Sequence, residues 1–182
     1  MTGCLRHSGE VLNLPLEISE YDPRWPELFR AERDRILAAI GKYVHAIEHI
    51  GSTAIPGIAA KPLIDILVGV KQLDVYRECV KPLADLGYQY VPDAERVMPD
   101  NRYFNKGPDD ARTHHLHMVL YDGEFWREKL LFRDYLRSHE EVARRYEALK
   151  RDLAQRFDDG APYARAKGPF VKAVLKEAEA AQ

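Results

Sequence analysis

Apolar residues at Phe29, Ile36 and Ile40, with Leu28 and Leu37 beside them, return at helical spacing before Gly41. That period predicts a helix after the proline-bearing entry Tyr21-Asp22-Pro23-Arg24-Trp25-Pro26, with one face against a sheet. The pattern then changes to short apolar runs at 44–50 and 63–70, which predict two buried strands joined by a loop carrying Gly51-Ser52 and Pro56-Gly57. Helical spacing resumes with Val75, Cys79 and Leu83 and ends at Gly87. A short strand is predicted over 88–91, an alternating one over 102–106, a hairpin turn over 107–112 and a long strand over 113–121. Leu16-Glu17-Ile18 alternates and predicts a short edge strand, whereas residues 1–13 have no sustained period and read as a loose tail.

After Asp122-Gly123 the chain becomes charged and helical. One helix is predicted over 124–137, and Ser138 with Glu141 three residues on makes a capping box for the next. That helix carries a stripe of Val142, Tyr146, Leu149, Leu153 and Phe157 and breaks at Asp158-Asp159-Gly160. A last helix begins near Pro162, with a kink or restart expected at Gly168-Pro169. The whole predicts an α/β (α+β) fold, a sheet with helices packed on one face and a helical C-terminal part. Residues 1–15 read as a flexible tail and 16–182 as one domain, a size that buries a substantial core.

The near balance of acids and bases, net charge −2, argues against a nucleic-acid coat or a polybasic membrane anchor, although a local basic pocket stays open. Cys4 and Cys79 make neither a disulfide framework nor a zinc pattern. With no signal peptide or spanning apolar run, the expectation is a cytoplasmic protein.

Chemistry concentrates around the Gly51 turn. A residue without Cβ lets the backbone bend and approach a ligand, and the Ser52 hydroxyl can meet phosphate. Asp65 interrupts the apolar run 63–70, where a carboxylate is costly to bury unless it is paired, hydrogen-bonded or bound to a metal. In the strand 113–121, Leu116, Met118 and Leu120 share the core face with His114, while His115 and His117 project on the other, about 6 to 7 Å apart. Two imidazoles at that separation can ligate one metal or flank one phosphate, with Asp65 and Glu48 as further donors. The alternative is a pair of ordinary strand histidines bonded to neighbouring groups. His49, next to the turn, is within reach of a ligand, and a structural role is the favoured reading. Lys61, Arg102, Lys106, Arg133 and Arg137 are candidate phosphate-binding cations. Lys150 and the other late-helix cations read as a solvated face amid Glu128, Asp134, Glu140, Glu141 and Glu147. Trp25, Trp126, Phe132 and Tyr135 read as packing residues.

The segment from His49 to Val70, together with the entry at Tyr21, Arg102-Tyr103-Phe104, His114 to His117 and Phe132 to Arg137, resembles the GrpB family over roughly residues 16–177. That family resembles the nucleotidyltransferase superfamily, which implies a mixed sheet with helices on one face and a cleft on the other, closed at its side by the helical C-terminal part; the superfamily signature is a Gly-Ser followed about a dozen residues later by a pair of acids. Gly51, Ser52 and Asp65 match it; Leu67 stands where the second acid belongs. The resemblance implies a nucleotide or other phosphorylated small molecule as ligand, with metal-dependent nucleotidyl transfer to an acceptor as the reaction. With Asp65 the only acid of the pair retained, His115 or His117 would have to take over metal binding or proton removal, so Asp65 and His117 are the candidate catalytic groups and Asp65, His115, His117 and Glu48 the candidate ligands of a divalent Mg, Mn or Zn ion. A catalytically silent interaction module and a metal-dependent phosphoester hydrolase are the alternatives.

Overall fold

Alternation along each strand divides the sheet into two unlike faces, and this division positions everything else. The computed structural model describes residues 16–109, 111–157 and 160–181. The tail predicted over 1–15, Asp110 of the hairpin turn and the Asp158-Asp159 break lie outside the described residues. Five strands, β1 (Val44–Ile50), β2 (Ile64–Val70), β3 (Tyr88–Tyr90), β4 (Asn101–Lys106) and β5 (His114–Leu120), form one sheet in the order β1-β2-β5-β4-β3. The central pair β2 and β5 is parallel and the other pairings are antiparallel. No helix among the described residues is long and apolar enough to cross a membrane.

Helices α1 (Trp25–Ile40) and α2 (Tyr76–Asp85) cover one face. Ile36 and Ile40 of α1 and Cys79 and Leu83 of α2 pack there on Ile66, Val68, Leu116 and Met118. Burial of that much apolar surface is the main favourable term in the fold. Leu28 and Leu37 stay on the exposed flank of α1, and Leu120, expected in the core, is exposed at the end of β5.

The opposite face is shared. At one end Trp126 of α3 (Glu124–Ser138) packs on Ile50, Leu67 and Val119. This contact needs Gly69: a Cβ there would stand 2.8 Å from the Trp126 ring. Beyond it, α4 (Glu140–Arg156), α5 (Gly160–Ala166) and α6 (Gly168–Ala180) complete the C-terminal part, with Leu136, Tyr146 and Val174 closing on Ile55 and Ile58. Pro169 sits in the first turn of α6, so the chain restarts there as its missing N–H requires. Trp25 and Trp126 are buried packing residues, as expected.

Three local expectations are corrected. Residues 16–18 form no edge strand; a single bridge from Ser19 to Ala60 takes its place. Ser138 does not cap α4. It ends α3, and its hydroxyl donates back to the Asp134 and Tyr135 carbonyls, leaving His139 at the cap position. Lys150 is not on a solvated face but buried at 1% exposure.

Arg102 and Lys106 pair in register with Met118 and His114, which places both on the α1/α2 face, away from Asp65. Lys106 Nζ donates to Glu32 Oε1 at 2.6 Å, and Glu32 is 4% exposed. Arg102 donates to the Pro99 carbonyl and lies over the Tyr76 ring. Lys106→Met, which leaves the Glu32 carboxylate buried with Arg35 as its remaining cation, is expected to cost roughly 3 kcal/mol in urea unfolding, with no change in ligand binding.

Candidate functional site

The Gly51 turn and the first residues of β2 are built around each other. Gly51 adopts φ 71° and ψ −173°, a conformation essentially reserved for glycine. The space its side chain would fill is occupied by the Asp65 carboxylate: a Cβ on Gly51 would lie 2.1 Å from Asp65 Oδ2. Behind the turn, His49 Nε2 lies 3.0 Å from the Thr53 hydroxyl, which donates to the Leu63 carbonyl. The His49 ring stacks on Phe29 at 4.7 Å, and burial brings its pKa down to about 4, so it is a neutral structural residue. In front, Arg133 donates to the His49 carbonyl and to Glu48, and Arg137 donates to the Ala54 carbonyl.

Register brings the predicted donors together in part. Asp65 pairs with His115 across the parallel strands, and His115 Nδ1 lies 3.2 Å from Asp65 Oδ1. Burial alone would raise the Asp65 carboxyl. The His115 contact and the nearby positive charge of Lys167 outweigh it and hold the group below the usual carboxylate range. His117 shares this face but opposes Leu67, the residue in the second acid's place. Its Nδ1 is 2.8 Å from the Asn101 amide nitrogen, its ring lies beside Tyr103 and Phe125, and burial pulls its pKa down to about 3. Tyr103 also borders His115 at 5.3 Å, so one aromatic ring walls both imidazoles.

The basic residues divide differently from the sequence expectation. Arg133 and Arg137 are committed to the Gly51 turn and to Asp134, as braces rather than free anion ligands. Lys61 is exposed on the loop before β2, and Ser52 is half-buried in the turn itself. Cations not predicted for the site do face it. Lys129 of α3 is half-buried, and its ammonium, held below its usual range by burial, feels both Asp65 and Lys167. Lys167 acts in turn on Lys150, which burial lowers to about 7. Lys150 Nζ donates to the Ala59 carbonyl and lies over the Tyr146 ring. The signal for Lys129 was in the chain: Phe125, Lys129, Arg133 and Arg137 recur one helical turn apart, extending backward the stripe that Arg133 and Arg137 began.

A protein-only metal cage does not fit these residues. Glu48 is tied to Arg133, His117 Nδ1 to Asn101, and no group of three or more His, Cys, Asp or Glu among the described residues is arranged to hold an ion. What the set does offer is one carboxylate and one imidazole beside a sharp glycine turn, within the field of Lys129 and Lys167. A concavity of about 410 Å³ lies next to this site, walled by Val119, Phe125 and Glu128, and Asp65 is not among its walls.

Residues 15–177 match the family described as GrpB protein. Among curated relatives, the UPF0157 protein YqkA of Bacillus subtilis is 37% identical over 90% of this chain, and Glutamate-rich protein GrpB of Alkalihalophilus pseudofirmus is 38% identical over 94% of it. The chain spans 47% of the first relative and 97% of the second. A solved structure of GrpB from Enterococcus faecalis superposes with TM-score 0.80 at 36% identity, covering 89% of this chain and 96% of that one. The Cid1 poly(U) polymerase with Mg and 3′-dATP bound superposes with TM-score 0.54 at 14% identity, over 82% of this chain and 49% of that one, a likeness of fold alone.

Proposed function

We propose that this chain, which belongs to the GrpB family, binds a nucleotide or another phosphorylated small molecule in the cleft between the Gly51 turn and α3. The observation that carries this reading is the seat of Asp65: an ionised carboxylate in the space that Gly51 leaves open, in contact with His115 and within the field of Lys129 and Lys167. Charged groups gathered in this way at a glycine bend are characteristic of functional sites rather than of packing. The nucleotidyltransferase-like fold supports the nucleotide as the phosphorylated ligand, since a polymerase of this fold holds 3′-dATP. A divalent ion suits the donor set only when phosphate oxygens complete its shell beside Asp65, the usual manner of magnesium in such sites.

Selective binding to the folded form raises the melting temperature. ATP or UTP with magnesium or manganese is therefore expected to stabilise the protein in thermal-shift measurements, by several degrees at saturating ligand, and Asp65→Asn to abolish the shift without unfolding the chain. Pyrophosphate release in the presence of an acceptor, lost in the same variant, would extend binding to nucleotidyl transfer. The second reading, an interaction module without turnover, draws on Leu67 in the second acid's place and on Glu48 being committed to Arg133. Absence of a shift across the whole nucleotide and metal panel would favour it.

A further inference from the structure

Asn101, the first residue of β4, has no exposed surface, yet its amide is only half satisfied. The amide nitrogen lies 2.8 Å from His117 Nδ1 and 3.6 Å from the Met98 sulfur, while Oδ1 is buried with no partner among the described residues. The sulfur decides which way the amide faces. A thioether accepts and cannot donate, so nitrogen belongs beside it, and reversing the group would set oxygen against sulfur. A buried carbonyl left unpaired is destabilising. On the same face of β4, Asn105 avoids that defect by presenting its oxygen to Arg112 Nη1. The orientation of Asn101 therefore serves His117 and not its own satisfaction.

Because Asn101 donates, His117 Nδ1 must offer a lone pair, and the ring is neutral with its proton on Nε2. Tyr103, opposite His117 in register, and Phe125 of α3 flank the ring at 5.2 Å and 5.8 Å. Nε2 bonds nothing among the described residues, and unlike Asn101 Oδ1 it is not a sealed atom. His115 has the opposite arrangement. Its Nδ1 faces the Asp65 carboxylate at 3.2 Å, an acceptor that calls for the proton there and leaves the lone pair of the neutral ring on Nε2. The two imidazoles of one sheet face thus differ in what they can do. A nitrogen that carries a proton can neither ligate a metal ion nor take a proton from an attacking hydroxyl; it can donate to an oxygen.

We infer that Asn101 is a positioning residue that fixes His117 in the Nε2–H form, and that His117 gives this N–H to an oxygen of the bound phosphate instead of serving as metal ligand or general base. Any such metal or base role falls to His115, beside Asp65. The identity of the accepting oxygen rests on the reading that the cleft receives phosphates; the place of the proton does not.

The test is a proton–nitrogen correlation spectrum of the full chain with isotope-labelled histidines, at pH 8 and in EDTA, followed by calorimetry with ATP and magnesium. His117 is expected to carry its proton on Nε2 and His115 on Nδ1. Asn101→Asp, whose carboxylate only accepts, is expected to move the His117 proton to Nδ1 and to weaken ATP binding by about tenfold. His117→Gln, whose amide nitrogen reaches the place of Nε2, is expected to keep most of the affinity. His117→Asn, whose amide reaches only the place of Nδ1, is expected to lose as much as Asn101→Asp. Cooperative melting of each variant shows that the fold is kept. A wild-type proton on Nδ1, or equal losses in the Gln and Asn variants, overturns the inference and leaves the nucleotide site standing, since ATP still binds the wild type. Failure of ATP to bind the wild type in any condition overturns the donor role together with the reading it rests on.

Discussion

Stability of the wild-type protein is expected to rise between pH 7 and pH 9.5, and Lys150→Met to remove that rise. Lys150 is buried at 1% exposure, and its pKa falls from 10.5 to about 7, first through burial and then through the charge of Lys167. In the unfolded chain the amine keeps its proton to about pH 10. Below pH 7 both states are protonated and the penalty of burying the charge is constant. Above pH 7 the folded state gives up the proton while the unfolded state retains it, so folding gains about 1.4 kcal/mol per pH unit from this group. Over the stated interval that is roughly 3 kcal/mol. Urea unfolding at several pH values for the wild type and for Lys150→Met measures it; two curves that rise in parallel would show that another group is responsible.

Gly51→Ala is expected to cost more in ligand binding than any single change outside β2. The backbone there has φ 71°, which an alanine tolerates poorly, and strain of that kind costs about 1–3 kcal/mol. The larger consequence is steric. The new methyl group would lie 2.1 Å from Asp65 Oδ2, 2.9 Å from its Cγ and 3.0 Å from its Cβ, so the whole carboxylate must leave its seat and its contact with His115. The nucleotide-induced thermal shift should vanish as it does in Asp65→Asn, while chemical unfolding shows the additional loss of stability. A Gly51→Ala variant that keeps both the shift and the midpoint would remove the turn from the argument.

The fold was readable because its strands and helices have unlike periods. The apolar runs before and after the Gly51 turn became β1 and β2, and the alternation from His114 to Leu120 put Leu116 and Met118 in one layer and His115 and His117 in the other. The cations were harder. Arg102 and Lys106 lie on one face of β4, as the alternation says, but which face meets the cleft depends on pairing with β5, and pairing is not written in a single strand. Arg133 and Arg137 were recognisable as a stripe; that they brace the backbone of the Gly51 turn follows only from the docking of α3. Lys150 was hidden by its composition: a lysine among glutamates reads as surface, and nothing local records that α4 turns this position toward Ala59. Lys167 gave little local signal: its ammonium lies over Tyr163, one turn back along the chain, whereas the charges it acts on belong to α3, α4 and β2.

The parallel pairing of β2 with β5 has a consequence for how the cleft comes into being. Parallel neighbours cannot be joined by a tight hairpin, so the chain leaves β2, runs through α2, β3 and β4, and only then returns to lay β5 alongside. Asp65 and His115 thus meet by the same closure that seals Ile66 and Val68 against Leu116 and Met118. Arrival of the imidazoles at Asp65 and consolidation of the hydrocarbon layer beneath them are one event, and no partly folded chain lacking β5 brings His115 or His117 to the Gly51 turn.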